Sequence, residues 1–210
     1  MSRFGRLGGG LIADGRDEVL TAVRENLRFG ASQIKLMAGG GTSSDYDPLD
    51  LTQYTHDEMR AAVDWGTYVT VHAYHERSVR RAIEGGVKCI GHGQLLDEAT
   101  LGLVAERGVW LSRQTLMADS PDTTEARRQK RRPVIEGQER VWPLAKRLGV
   151  KLAWGTDFPF EPGLPAGPSS VRERAAATAQ NRDESVALEG ASRPNASAAG
   201  PARRRAGPLA

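Results

Sequence analysis

The sequence has almost no cysteine and no long apolar run, and each shortage excludes a class of protein. Cys89 is the only cysteine in 210 residues, so an internal disulfide is excluded, and an unpaired thiol within an apolar strand favours a reducing compartment such as the cytoplasm. No uninterrupted apolar run approaches the roughly 20 residues that a membrane-spanning helix needs. The N-terminal residues 1–6 also lack the apolar core of a signal peptide. We therefore expect a cytoplasmic protein that does not bind membranes.

A strong excess of charge is missing as well. Lys and Arg number 29 against 26 Asp and Glu, and the resulting net charge of +3 is too small to predict a nucleic-acid partner. A nucleic-acid binder with a basic tail is an alternative that depends on Arg203-Arg204-Arg205 alone and would show steep salt dependence. The hydrophobic content of 39% is ordinary for a globular protein with one core.

Short apolar strands and helices alternate along most of the chain. The pattern predicts strands at Gln33–Met37, Tyr68–His72, Val87–Gly91, Val109–Ser112 and Val150–Trp154. It predicts helices at Arg16–Phe29, from the capping box of Thr55 and Glu58 through Trp65, and at Arg77–Glu84, Leu95–Glu106 and Val141–Leu148. The charged run Asp119–Gln138 indicates a solvated helix face or a mobile loop, with a phosphate or nucleic-acid site as the minority alternative. Such alternation is typical of an α/β protein with a parallel sheet.

Polar side chains follow the predicted strands at matching places. His72 and His92 close successive strands, and Lys35 and Asp157 occupy similar positions in two others. Because the carboxyl ends of parallel strands meet at one edge, two imidazoles delivered there could reach a common metal ion. The alternatives are hydrogen-bonded core histidines, a lysine whose amine extends to solvent, and a simple turn at residues 155–157.

The composition changes after Pro168. Ala, Arg, Pro and Ser dominate, and apolar residues no longer recur at regular spacing. We therefore predict one domain at residues 1–168 and a disordered, low-complexity tail at residues 169–210, because the tail has too little apolar surface to offset the entropy of ordering. A shifted reading frame in a GC-rich gene is a hypothesis that would explain the change.

Four motifs in order give the chain a specific resemblance, which covers roughly residues 10–160. They are Ile34-Lys35-Leu36-Met37 with the loop Gly39-Gly40-Gly41, Val71-His72-Ala73-Tyr74, Ile90-Gly91-His92-Gly93, and Gly155-Thr156-Asp157. In these motifs the chain resembles the amidohydrolase superfamily of metal-dependent hydrolases, and most closely its imidazolonepropionase-like and prolidase-like members. The resemblance implies a partial (β/α)8 barrel of the TIM type, made of about the last five strands.

The resemblance also implies roles for individual residues. One or two divalent metals, usually zinc, would lie at the carboxyl ends of the strands. Lys35 would be carboxylated by carbon dioxide and bridge the metals, His72 and His92 would bind the second metal, and Asp157 would bind the first metal and move the catalytic proton. Tyr74 would contact the substrate carbonyl, with packing as the equal alternative.

The chain departs from the superfamily pattern in its histidines. Its histidines are His56, His72, His75 and His92, and none of them forms the His-x-His pair that the superfamily carries on its first strand. We therefore expect a fragment without the N-terminal strands, whose exposed sheet edges cause instability or association into a homo-oligomer. His56 and His75 are expected at the surface, near helix starts.

The predicted function is that of a peptidase-like, metal-dependent hydrolase. It would cleave carbon–nitrogen bonds of small amides or dipeptides with metal-activated water, and its activity would be impaired by truncation. The alternative is an inactive barrel fragment that only binds a metal or a partner.

Overall fold

The structure is a computed structural model that describes residues 10–114, 119 and 121–155. In this part, helices and strands alternate as the sequence predicts. The helices are α1 (Arg16–Arg28), α2 (His56–Asp64), α3 (Glu76–Glu84), α4 (Glu98–Glu106) and α5 (Glu125–Arg147). The strands are β1 (Gln33–Met37), β2 (Tyr68–Ala73), β3 (Cys89–His92), β4 (Trp110–Arg113) and β5 (Lys151–Trp154).

The strands form a single five-stranded sheet in the order β1-β2-β3-β4-β5. Every neighbouring pair is parallel, so each strand lies beside its successor in the sequence and a helix carries the chain back between them. In the register, Met37 lies opposite His72, and His72 lies opposite Gly91. The carboxyl ends of β1, β2 and β3 therefore meet at one edge, which is where parallel α/β proteins build their sites.

The core forms between the sheet and its helices. Val69 and Val71 of β2 are both 0% exposed, whereas Thr70 between them is half-buried, as expected for alternating side chains. On α3 the residues Val79, Ala82 and Ile83 recur at helical spacing and are buried. Each fully buried Val or Ile side chain contributes about 1.5–3 kcal/mol.

The capping box predicted at the start of α2 is confirmed. The Thr55 hydroxyl accepts a hydrogen bond from the Glu58 amide at 3.3 Å, and the Glu58 carboxylate accepts from the Thr55 amide at 2.7 Å. A different cap sets the start of α4, because the Asp97 carboxylate accepts from the Thr100 amide at 2.8 Å. Helix α4 therefore begins at Glu98, three residues after the predicted start at Leu95.

Of the two alternatives for the charged run Asp119–Gln138, the structure has the helix: the run is helical from Glu125 onward and continues through the predicted helix Val141–Leu148, so that α5 is one helix from Glu125 to Arg147. Pro133 and Pro143 lie inside it, and these prolines interrupt the sequence signal for a helix. Its buried residues include Val134, Gln138, Val141 and Ala145, which recur every three or four positions across the predicted break. Burial of this continuous face of the helix stabilises α5 by more than the two prolines destabilise it.

No helix in the described ranges is long and apolar enough to cross a membrane. Asp157 and the tail predicted at residues 169–210 lie outside the described residues.

Candidate functional site

His72 is held at the end of β2 through both its backbone and its ring. Its carbonyl oxygen accepts hydrogen bonds from the amides of Ala38 at 3.0 Å and Gly39 at 3.1 Å, just after β1. Its ring Nε2 lies 3.0 Å from the carbonyl oxygen of Gly40. Because a carbonyl can only accept, this contact requires a proton on Nε2, and a neutral ring then has its lone pair on Nδ1.

The surroundings of His72 favour the neutral ring. Burial lowers the pKa of His72 to about 4, the hydrogen bond to Gly40 opposes that shift, and the positive charge of Lys35 adds to it. The ring is therefore uncharged at neutral pH, which is the form in which imidazole binds metal ions.

His92, the last residue of β3, has an unusual backbone conformation. Its φ angle is 79°, and it is the only non-glycine residue with a positive φ among those described. A backbone in this region costs of the order of 1–3 kcal/mol and is typical of functional sites. The amide of His92 donates to the Gln114 Oε1 at 2.7 Å, so the end of β4 supports this conformation.

The left-handed backbone explains how the two imidazoles meet. His92 is in register with Ala73, whereas His72 is in register with Gly91. In regular strands, His72 and His92 would therefore face opposite sides of the sheet. Their ring centroids are nevertheless only 4.3 Å apart, with 73° between the ring planes. His92 is 2% exposed, and burial, followed by the proximity of His72 and then of Lys35, lowers its pKa well below the usual value.

Tyr74 packs against both imidazoles. Its ring centroid lies 5.1 Å from that of His72 and 4.6 Å from that of His92. The phenol oxygen is 3.5 Å from the hydroxyl of Thr42, and Tyr74 is 1% exposed. In this structure the tyrosine ring is therefore buried against the rings of His72 and His92.

Lys35 lies on β1 in register with Thr70, and it is exposed. Its positive charge lowers the pKa of both His72 and His92. The structure thus brings His72, His92 and Tyr74 together at the carboxyl ends of β2 and β3, whereas Lys35 lies two residues before the last residue of β1. The two other histidines lie elsewhere: His56 begins α2 with a side chain 42% exposed, and His75 caps α3 with a side chain 27% exposed.

Two supports of the site are not evident from the sequence. One is Gln114, which holds the backbone of His92. The other joins the loop after β1 to α5: Lys130 Nζ donates to the Gly41 carbonyl at 2.7 Å and to the Asp47 carboxylate at 3.1 Å. Lys130 and Gly41 are 89 residues apart, so no local pattern relates them, and the charged run around Lys130 resembles an ordinary solvated helix face.

The two imidazoles are suitable metal ligands, although they form only part of a donor set. Both are neutral, buried and adjacent, and imidazole nitrogen suits zinc and similar divalent ions. Within residues 10–114, 119 and 121–155, no group of three or more His, Cys, Asp or Glu side chains is arranged to hold a metal. Asp157, the predicted fourth member, lies outside these ranges.

A parallel sheet in sequential order, with a helix between each pair of neighbouring strands, is the arrangement of a partial (β/α)8 barrel. The profile of the amidohydrolase family matches residues 3–188, so the chain belongs to that family. The predicted resemblance and the predicted partial barrel are both confirmed.

Related proteins are considerably longer than this chain. The ochratoxinase of Aspergillus niger is 28% identical over 170 residues, which is 76% of this chain but 34% of that protein. A crystal structure of an amidohydrolase is 40% identical, with a TM-score of 0.66 over 70% of this chain and 38% of that one. A prolidase complexed with N-methylphosphonate-L-proline is 34% identical, with a TM-score of 0.65 over 72% of this chain and 44% of that one. The chain thus spans between about a third and less than half of these relatives.

Proposed function

We propose that this chain carries part of the active site of a metal-dependent hydrolase that cleaves carbon–nitrogen bonds in small amides or dipeptides. The observation that carries the proposal is the buried pair of neutral imidazoles, with ring centroids 4.3 Å apart, at the carboxyl ends of β2 and β3. Membership of the amidohydrolase family supports it independently.

His72 and His92 would hold a divalent metal such as zinc, and Lys35 and Asp157 would complete the set of ligands. When bound, such an ion lowers the pKa of its water to about 7 and so makes hydroxide available at neutral pH. His72 offers Nδ1, since Nε2 is occupied by the Gly40 carbonyl. The proposed role of Asp157 is to accept a proton from water and pass it to the leaving amine.

Lys35 is the residue proposed to be carboxylated. Its exposed position on β1 allows carbon dioxide to reach the amine. The ammonium group would first release a proton to water. The neutral amine would then form a nitrogen–carbon bond to carbon dioxide and release a second proton, so that a carboxylate replaces the cation. The lysine would then carry oxygen ligands beside the two imidazoles.

Tyr74 has two proposed roles. Its ring packs on both imidazoles and restricts their orientation. Contact between its phenol group and a substrate carbonyl is the second role, and it requires access to a side chain that is 1% exposed in this structure.

The proposed substrates are dipeptides that end in proline. The relatives include a prolidase complexed with a phosphonate derivative of L-proline and a Xaa-Pro dipeptidase that is 29% identical over 73% of this chain. A phosphonate carries a tetrahedral centre like that of an amide under attack by water, which supports hydrolysis in that relative.

A second candidate is a catalytically inactive fragment that binds a metal or a partner. It is favoured because the described residues contain no group of three or more His, Cys, Asp or Glu side chains arranged to hold a metal. The edge strands β1 and β5 each pair on one side only among the described strands, which supports association of copies.

The buried Cys89 supports a cytoplasmic location.

Metal content and dipeptide hydrolysis test the proposal on the full chain. Zinc should bind the metal-free protein, and hydrolysis of dipeptides such as Met-Pro should follow. His72→Ala and His92→Ala should lose bound zinc and turnover, and Asp157→Ala should lose turnover. His56→Ala is the matched control because that imidazole is at the surface. Zinc binding without turnover of any amide would support the inactive fragment, and zinc retained in both site variants would contradict the metal site itself.

A further inference from the structure

We infer that the ion pair of Asp47 and Lys130 is a positioning device for His72. It holds the loop that carries the Gly40 carbonyl and thereby selects which ring nitrogen of His72 faces the site. The inference rests on the proposed function only where it concerns metal binding.

The first step is the contact between the loop and the ring. His72 Nε2 donates to the Gly40 carbonyl oxygen at 3.0 Å. As long as that carbonyl stays in place, the proton is held on Nε2 and the lone pair on Nδ1. A ring partner that fixes the tautomer in this way is a common device of metal-binding histidines.

The second step is the support of the loop. Lys130 Nζ donates to three oxygens, namely the Gly41 carbonyl at 2.7 Å, the Asp47 carbonyl at 3.0 Å and the Asp47 Oδ1 at 3.1 Å. These acceptors use all the hydrogens of the ammonium group. The other carboxylate oxygen of Asp47 accepts from the Gly41 amide at 2.8 Å. Gly41 is thus held at both its amide and its carbonyl, directly beside the residue that contacts His72.

The third step is the close packing of the loop. A Cβ atom added to Gly40 would overlap the carbonyl oxygen of Pro48, the neighbour of Asp47. Gly40 therefore lies against the same short segment that Lys130 holds. A displacement of Asp47 would be passed to Gly40 through this contact and through the Gly41 hydrogen bonds.

The last step is the cost of breaking the pair. Both side chains are only 14% exposed, so loss of the ammonium would leave a largely buried carboxylate without its counter-charge. The loop would have to move to hydrate that carboxylate, and the Gly40 carbonyl would leave His72. Lys130 does not contact the ring itself and is therefore a positioning residue.

The decisive measurement is the tautomer of His72 in the full-length, metal-free chain labelled with ¹⁵N-histidine. Imidazole ¹⁵N shifts distinguish a proton on Nε2 from a proton on Nδ1. The wild-type protein should show the Nε2–H form at pH 7, and Lys130→Met should show a mixture of both forms. Affinity for Co²⁺, measured by calorimetry, should fall about tenfold or more in Lys130→Met, as for other outer partners of metal ligands.

Two controls separate positioning from a loss of stability. Arg132→Met removes a cation from an exposed position on the same helix and should change neither readout. Val134→Ala removes buried apolar volume from α5 but keeps the Asp47 and Lys130 side chains, so it should lower the stability and leave the tautomer unchanged. If Lys130→Met does not fold, Asp47→Asn replaces it, because Lys130 and Gly41 donate to different carboxylate oxygens of Asp47 and asparagine keeps only one of them as an acceptor.

The inference is overturned if Lys130→Met keeps the wild-type ring shifts, or if Val134→Ala alters them equally. Failure of the wild-type chain to bind Co²⁺ would contradict the proposed function alone. The tautomer measurement decides the positioning role in either case.

Discussion

The imidazoles of His72 and His92 meet at a centroid distance of 4.3 Å although the two residues hold register positions that belong to opposite faces of the sheet. The φ angle of 79° at His92 accounts for the contact, since this left-handed conformation changes the direction of the His92 side chain relative to a regular strand. The site therefore depends on a backbone conformation that is unfavourable for histidine and is supported by its neighbours.

The support given to His92 by Gln114 can be tested directly. Gln114→Ala removes the acceptor of the His92 amide and should lower the free energy of unfolding by about 1–3 kcal/mol, because a buried donor loses its partner. Gln114→Glu keeps an acceptor oxygen and should be less destabilised at neutral pH. Urea unfolding of the three proteins measures the difference, and equal stability of wild type and Gln114→Ala would contradict the role.

Gly40 and Gly41, which are neighbours in the loop after β1, should differ in how much an alanine substitution lowers the stability. Gly40→Ala places a methyl group onto the Pro48 carbonyl and should cost about 1–3 kcal/mol, as overpacking does in general. Gly41→Ala meets its nearest atom, His72 Nε2, at 3.5 Å, which is ordinary contact, and should be nearly neutral. Thermal unfolding compares the variants, and the prediction is wrong if the two alanines are equally destabilising.

Asp97, the N-terminal cap of α4, should make the stability of the protein depend on pH. Hydrogen bonds from Thr100 lower the pKa of Asp97 below the usual 3.8. Because the carboxyl pKa is lower in the folded state than in the unfolded state, the ionised side chain stabilises the fold. This stabilisation is present above pH 3.8 and is lost as the pH falls through the lower pKa of the folded state. Asp97→Ala should therefore be less stable than wild type by about 1 kcal/mol at pH 7, and this gap should narrow in acid.

Asp97→Asn serves as the control for that titration. Asparagine caps a helix about as well as aspartate but carries no proton to lose. Its stability relative to Asp97→Ala, measured by urea unfolding between pH 2.5 and 7, should stay constant. If the difference in stability between wild type and Asp97→Ala did not change with pH, the stabilising role of the ionised Asp97 carboxylate would be contradicted.

Cys89 should react slowly with thiol reagents. Burial raises the pKa of its thiol, and the residue is 8% exposed, so both the thiolate fraction and the access of a reagent are reduced. At pH 8, labelling of the native chain should be much slower than labelling of the chain unfolded in urea, and the ratio of rates reports how often β3 opens. Equal rates would show that β3 is not buried as described.

Several elements could be predicted because their signals are local. The bounds of β1 follow from a five-residue run between Gly30 and the Gly39-Gly40-Gly41 loop, and the start of α2 follows from the Thr55 and Glu58 pair. Helix α5 could not be predicted as one element, since Pro133 and Pro143 interrupt its local signal. Its unity comes from burial against the rest of the protein, which is a long-range effect.

The sequence by itself determined the alternation of strands and helices and the placement of His72 and His92 at neighbouring strand ends, because hydrophobic periodicity and capping act over a few residues. Only the tertiary structure decided that His92 turns toward His72, that Gln114 holds it there, and that Lys130 reaches across 89 residues to the loop beside His72. Those contacts arise from packing between segments distant in the chain, and the free energy that selects them is distributed over the whole core.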